Sequence, residues 1–339
     1  MAHRISNVTG TNEMFYTGDT PWHGLGQKLD KAATSKEAIE AAHLDYKVGV
    51  YSVYYQMPDG KMVQAKEKGA IVREDTGTFF QVMSNRYTPV QNKDAFGFFD
   101  NVVAAGEAVY HTAGALDEGK RIWILAKLSG EFKVAKDDVV EKYVLLANSH
   151  DGSEALTMMV TPIRVVCHNT LSVALQDKKA SRFYARHTVR VMNRATQARE
   201  ILGLTEEYFK NFQAGADRLV AYQIKQKELE EMLRWTLHTV DAKEMDKQHA
   251  SKKVAIEEIT RLFEHGKGND MPGVKGTAWG LYNAVGEYVD WSRPAGKGVK
   301  TLCVSTAAVV SQRLDSAWFG SGANLKQKSW DYLLQLATT

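Results

Sequence analysis

Cysteine is nearly absent from this 339-residue chain, with only Cys167 and Cys303 present. Neither belongs to a Cys-x-x-Cys pair, which excludes a disulfide framework and a thiolate zinc cage. Long apolar runs are also missing. Residues 143–147 and 306–310 are typical of the longest, far short of a bilayer span. The first twenty residues lack the apolar stretch of a secretory signal, so the cytoplasm is the expected compartment and no membrane partner is expected. His23, His111, His150, His168 and His187 are scattered, with no His-Glu-x-x-His spacing, so no metal site is expected. The glycine-rich stretches near 266 and 296 fit neither a phosphate-binding loop nor a dinucleotide fingerprint, and no cofactor is expected. No carboxylate cluster of two-metal type stands out, and no catalytic residue is assigned.

What is present is ordinary globular material, 44% apolar and 24% charged. The length suggests two domains, or one with a large helical extension. Residues 1–45 read as an irregular arm and a short helix, with Ser35 as its cap. Residues 46–199 read as an α+β core. Aromatic and β-branched residues at 46–55 and 61–73 flank the turn Pro58-Asp59-Gly60, and a third strand follows at 79–87. An amphipathic helix spans 94–105, capped by Asn92 or Asp94. Strands follow at 109–113, 121–128, 132–134, 142–148 and 156–160, with a turn at His150-Asp151-Gly152. Asn169-Thr170 reads as the cap of a helix over 171–175. Residues 200–339 read as helical. Trp22, Trp279, Trp318 and Trp330 are expected as core anchors. The predicted architecture is α+β: an antiparallel sheet with a packed helix, then a mainly helical C-terminal half.

The net charge is only +3, but it is unevenly spread. Arg164, Lys178, Lys179, Arg182, Arg186, Arg190, Arg194 and Arg199 face Asp177 alone, so residues 164–199 hold +7 against −4 for the remainder. Arg182, Arg186, Arg190 and Arg194 recur every four residues. That spacing keeps them on one face of a strand and on one slowly drifting face of a helix. Guanidinium forks match phosphate geometry, and the rings of Phe183, Tyr184 and His187 between them could stack on unpaired bases. The bland alternative is a solvated face paired with the acidic helices after residue 200. Lys61, Lys66, Lys68 and Arg73 decorate the first hairpin beside Tyr51, Tyr54 and Tyr55, either as an ordinary solvent face or as a second part of the same groove. Cys167 and His168 are adjacent, and neighbours point apart in a strand or a helix, so they are poorly placed to share a proton.

Several strings together resemble a known family. They are Pro21-Trp22-His23-Gly24-Leu25-Gly26, Arg86-Tyr87-Thr88-Pro89-Val90-Gln91-Asn92, Arg164-Val165-Val166-Cys167-His168-Asn169-Thr170-Leu171, Arg186-His187-Thr188 and Gly276-Thr277-Ala278-Trp279-Gly280. In this order they resemble the phage/plasmid-like protein family built on domain of unknown function 932. The resemblance implies a role in DNA metabolism or defence evasion, and it brings no catalytic residues with it. The order of three strands and a helix is similar to the core of Rad-type single-strand annealing proteins. That similarity implies a homo-oligomer, ring or filament, that holds single-stranded DNA. The expected function is thus single-stranded DNA binding and annealing in recombination or replication, without a chemical step. Its expected site is Arg164, Lys178, Lys179, Arg182, Phe183, Tyr184, Arg186, His187, Arg190 and Arg194. A protein-binding inhibitor of a host defence system, working through the charged helices at 200–264, and a nuclease-type enzyme remain the alternatives.

Overall fold

A computed structural model of the chain describes residues 5–18, 25–31, 33–103, 108–164, 169–170, 182–187, 205–237, 250–293, 316–317 and 320–338. The fold is α+β, with helices concentrated in the C-terminal half. The chain divides into two compact units. Unit 1 holds residues 1–129, 143–160 and 179–204, and unit 2 holds 130–142, 161–178 and 205–339.

Two sheets form. The larger contains β1 (Met14–Thr17), β2 (Gln27–Leu29), β6 (Val109–Leu116), β7 (Arg121–Val134), β8 (Asp138–Ser149), β9 (Leu156–Arg164), β10 (Asn169–Thr170) and β11 (Arg182–Ala185). Its order is β10-β9-β8-β7-β6-β1-β2, with β11 also paired to β9. The smaller sheet is β3 (Val48–Gln56), β4 (Met62–Arg73) and β5 (Phe79–Ser84). Three expectations change here. Residues 14–17 and 27–29 are strands, because Phe15 is fully buried and Thr112 donates to its carbonyl at 2.7 Å. β1 and β2 run parallel, so the sheet is not wholly antiparallel. Asn169 and Thr170 pair with Arg164 and Ile163 as strand rather than capping a helix. Residues 171–175 lie outside the described residues.

In unit 1, α1 (Ser35–Ala41) and α2 (Asn92–Val103) supply one side of the core. Thr34, not Ser35, caps α1, in a reciprocal box with Glu37. Helical spacing puts Ala95, Phe96 and Phe99 on one stripe, and these bury against Phe15, Ala113, Ile124, Val144 and Leu156. Phe98 meets Phe183 of β11 with ring centroids 5.5 Å apart.

The helices of unit 2 are α3 (Thr205–Ala221), α4 (Gln226–Leu237), α5 (Ala250–His265), α6 (Ala278–Glu287) and α7 (Ser321–Leu336). Every residue of α6 is buried, as befits a helix apolar nearly all round. Thr277 caps it by accepting from the Gly280 N–H at 3.1 Å. Trp279 and Trp330 are core anchors: Trp330 stacks on Phe212 at 4.8 Å, and Trp279 Nε1 donates to Asp138 Oδ2 at 2.7 Å. Lys326 is fully buried and its ammonium meets Asp290 at 2.6 Å. Trp22 and Trp318 lie outside the described residues.

Candidate nucleic-acid interface

β11 is built on strict alternation. Phe183, Ala185 and His187 are buried, whereas Tyr184 is 56% exposed and Arg186 is exposed. Antiparallel pairing of Arg182–Ala185 with Met159–Leu156 fixes that parity. An exposed phenol ring on the strand and an exposed guanidinium just past its end thus stand two residues apart. Four residues of the predicted site, Lys178, Lys179, Arg190 and Arg194, lie outside the described residues, as do Cys167 and His168. Arg164 ends β9 and Arg182 begins β11.

Two of the predicted stacking rings are not available to a base. Phe183 is 2% exposed and packed on Phe98, because the period-two pattern turns it to the core. His187 is buried and hydrogen-bonded, with its ring stacked on Tyr87 at 5.1 Å. Of the three predicted rings, Tyr184 alone is exposed. Arg73 is corrected as well: it does not decorate the hairpin surface but is wholly buried. Odd-numbered residues of β4 near its end, Gly69, Ile71 and Arg73, all face inward.

Behind β11 stands a buried polar cluster that scattered histidines do not announce. Asn92 Nδ2 donates to the Leu44 carbonyl at 3.0 Å, which turns Oδ1 toward His150 Nε2 at 2.9 Å. His150 therefore carries its proton on Nε2. The Tyr87 hydroxyl lies 3.1 Å from the His150 carbonyl and 3.3 Å from that of Ser149, and donates there. His187 Nδ1, 2.8 Å from that hydroxyl, must then be the donor to it. His150 Nδ1 and His187 Nε2 have no hydrogen-bond partner among the described residues. Both rings are neutral. Burial lowers the His187 pKa to about 4. Burial, then repulsion from His187, lowers that of His150 to about 3, and Arg73 adds to the repulsion while Asp151 opposes it. Neither ring has the carboxylate partner that would orient a general base. The cluster instead ties the start of α2, the end of β8 and the end of β11 to one another.

A second buried network adjoins it. Arg73 forks onto Glu13 at 2.6 and 2.8 Å and reaches Asp75 at 2.7 and 2.9 Å. Its guanidinium lies 3.8 Å over the Tyr46 ring. Burial opposes the charge, and the hydrogen bonds to Asp75 and Glu13 overcome it, so the Arg73 pKa is raised. Arg73 Nη1 also donates to the Glu118 carbonyl at 3.3 Å, and Tyr46 donates to that of Gly119 at 2.9 Å. These two carbonyls belong to the turn between β6 and β7, where Asp117, Glu118 and Gly119 all have φ between 54° and 95°. Left-handed backbone is strained for Asp and Glu, and the two buried donors hold it in place.

Among the described residues no group of three or more His, Cys, Asp or Glu could hold a metal ion, and no helix is long and apolar enough to cross a membrane. The fold and the site define an α+β chain with an exposed tyrosine and arginine at the end of a strand backed by a buried polar cluster. The family described as Domain of unknown function (DUF932) matches residues 79–318, most of the chain, and the chain belongs to it. Tyr87, Asn92, His150, Tyr184, Arg186 and His187 all fall in the matched span; Glu13 and Arg73 do not. No curated protein and no solved structure matches the chain.

Proposed function

We propose that this chain is a single-stranded DNA binding and annealing protein of a phage or plasmid, acting in recombination or replication without a chemical step. The supporting observation is that Tyr184 on β11 and Arg186 just past its end are both exposed within the segment of net charge +7. A phenol ring offers a base a flat apolar face, and an adjacent guanidinium offers the following phosphate a fork. Bases in a duplex are already stacked on one another, so this pairing selects unpaired strands. The neutral His150–Tyr87–His187 cluster beneath gives the pair a fixed footing and adds no charge of its own.

The experiment is anisotropy of a fluorescent oligothymidine titrated with the full chain at several salt concentrations. Binding is expected to weaken steeply with salt, as counterion release requires. Tyr184→Ala is expected to cost about 1–3 kcal/mol, the usual value of one base stacked on a ring. Arg186→Ala is expected to lower the salt slope by about 0.7, one phosphate contact on a single strand. No binding at low salt, or a Tyr184→Ala/Arg186→Ala variant with undiminished affinity, would sink the proposal.

A further inference from the structure

Of the twelve large hydrophobic side chains exposed among the described residues, eight lie between Val50 and Val82, and pairing parity puts five of them, Tyr51, Tyr54, Met62, Phe79 and Val82, on one face of a sheet. The patch is the β3–β4–β5 sheet, and its register shows how one face is composed. Tyr51, Ala70 and Val82 stand in one row across the three strands. Gly49, Val72 and Phe79 stand in the next. Alternation along β4 puts Lys68, Ala70 and Val72 on this outer face and buries Gly69 and Ile71 on the other.

Glu74 continues the same parity, for its N–H donates to the Lys47 carbonyl at 2.9 Å, extending the ladder. The Tyr51 hydroxyl donates to Glu74 Oε1 at 3.2 Å, with the ring laid across Gly49. A Cβ at Gly49 would sit 2.6 Å from that ring, so the glycine is what lets the phenol lie flat. The outer face therefore runs from a lysine, through an apolar centre of Tyr51, Val82 and Phe79, to a glutamate roughly 20 Å away.

The charge of this sheet does not fit a polyanion. Lys47, Lys61, Lys66 and Lys68 are balanced by Asp59, Glu67, Glu74 and Asp75, and Arg73 is buried against Glu13. It does fit itself. A two-fold axis through the centre lays the apolar rows on their own copies and sets Lys68 of one chain against Glu74 of the other, twice. The edge of β3 is partly closed to strand addition, because the Gln91 side chain takes both the N–H and the carbonyl of Val48 at 3.0 and 2.8 Å. That favours packing face to face.

We infer that the outer face of β3–β4–β5 is a self-association surface, covered by a second copy of this chain across a two-fold axis. The inference is independent of the nucleic-acid reading. The test is sedimentation velocity of the full chain over a range of concentrations, with circular dichroism to confirm each variant is folded. The wild type is expected to dimerise or assemble further. Lys68→Glu and Glu74→Lys are each expected to raise the dissociation constant roughly tenfold or more, since each places like charges together twice. The Lys68→Glu/Glu74→Lys double variant is expected to recover association. Val82→Arg, at the apolar centre, is expected to give monomer. A monomeric wild type, a double variant as weak as either single one, or association untouched by all four overturns the inference. So does loss of oligothymidine binding by Val82→Arg at unchanged mass, which would make the face a nucleic-acid platform instead. Tyr184→Ala/Arg186→Ala is expected to leave the mass unchanged, so the two readings fail separately.

Discussion

Acidification to about pH 5 should destabilise unit 1 through two buried histidines. His150 and His187 are neutral in the fold, with pKa values lowered to about 3 and about 4 from the ordinary 6.5. In the unfolded chain both regain ordinary values, so below 6.5 the unfolded state binds more protons. Stability is thus fully present above pH 6.5 and falls as pH drops toward the folded values. From pH 6.5 down to about pH 5 lies about 1.5 units, or about 2 kcal/mol for each ring and about 4 kcal/mol for the two. That is a large part of the ~5–15 kcal/mol a domain has. Carboxylates lowered in the fold, such as Asp75, lose their contribution only nearer their ordinary value of 3.8, so about pH 5 isolates the histidines. The assay is urea unfolding followed by circular dichroism at about pH 7.5 and about pH 5. The control is a His150→Gln/His187→Asn variant, whose amides keep a hydrogen-bonding atom where Nε2 and Nδ1 stand but do not titrate. The wild type should lose about 4 kcal/mol between the two conditions and the variant far less. Equal losses would refute the placement of two neutral buried rings.

Two further outcomes are expected. Arg73→Met leaves the Glu13 carboxylate buried without its fork and should cost about 3–5 kcal/mol, whereas Glu13→Leu with Arg73→Met should recover much of it; urea midpoints decide this, and a double variant no better than the single one would contradict the pairing. Gly119→Ala puts a Cβ 2.8 Å from Arg73 Nη1 and 2.9 Å from Tyr46 Oη at a φ of +95°, and should cost about 1–3 kcal/mol by thermal unfolding; a neutral effect would mean the turn is not held as described.

The elements were legible where one local pattern decides them. Phe96 and Phe99 sit at helical spacing, Asp59-Gly60 makes a turn, and β3 and β4 are rich in β-branched and aromatic residues, so α2 and the first hairpin follow from sequence. Trp279 and Trp330 read correctly as core. What was not legible depends on distant partners. Asn169-Thr170 has cap chemistry, but pairing with β9 outweighs it. Arg73 reads as a surface cation because its partner Glu13 lies sixty residues earlier. His150 and His187 look scattered because Tyr87 and Asn92, which join them, sit in a third and fourth place along the chain. One signal was available: Arg86–Asn92 and Arg186–Thr188 were both among the strings that carry the resemblance, and Tyr87, Asn92 and His187 within them join this cluster. At β11 the even spacing of Arg182 and Arg186 does not depend on the choice between helix and strand. The same alternation, applied to Phe183 and His187, would have turned both inward.

The buried Arg73 also bears on inheritance. The family match begins at residue 79, yet the carbonyls of Glu118 and Gly119, well inside it, are held by Arg73 and Tyr46, which precede it. Leu44 and Val48 likewise take the amides of Asn92 and Gln91. The stretch by which the family is recognised therefore makes buried hydrogen bonds with residues that precede it. A gene fusion or truncation that cuts at residue 79 discards the donors to a turn of three left-handed residues, so in this chain the boundary of the match is not a boundary of the fold.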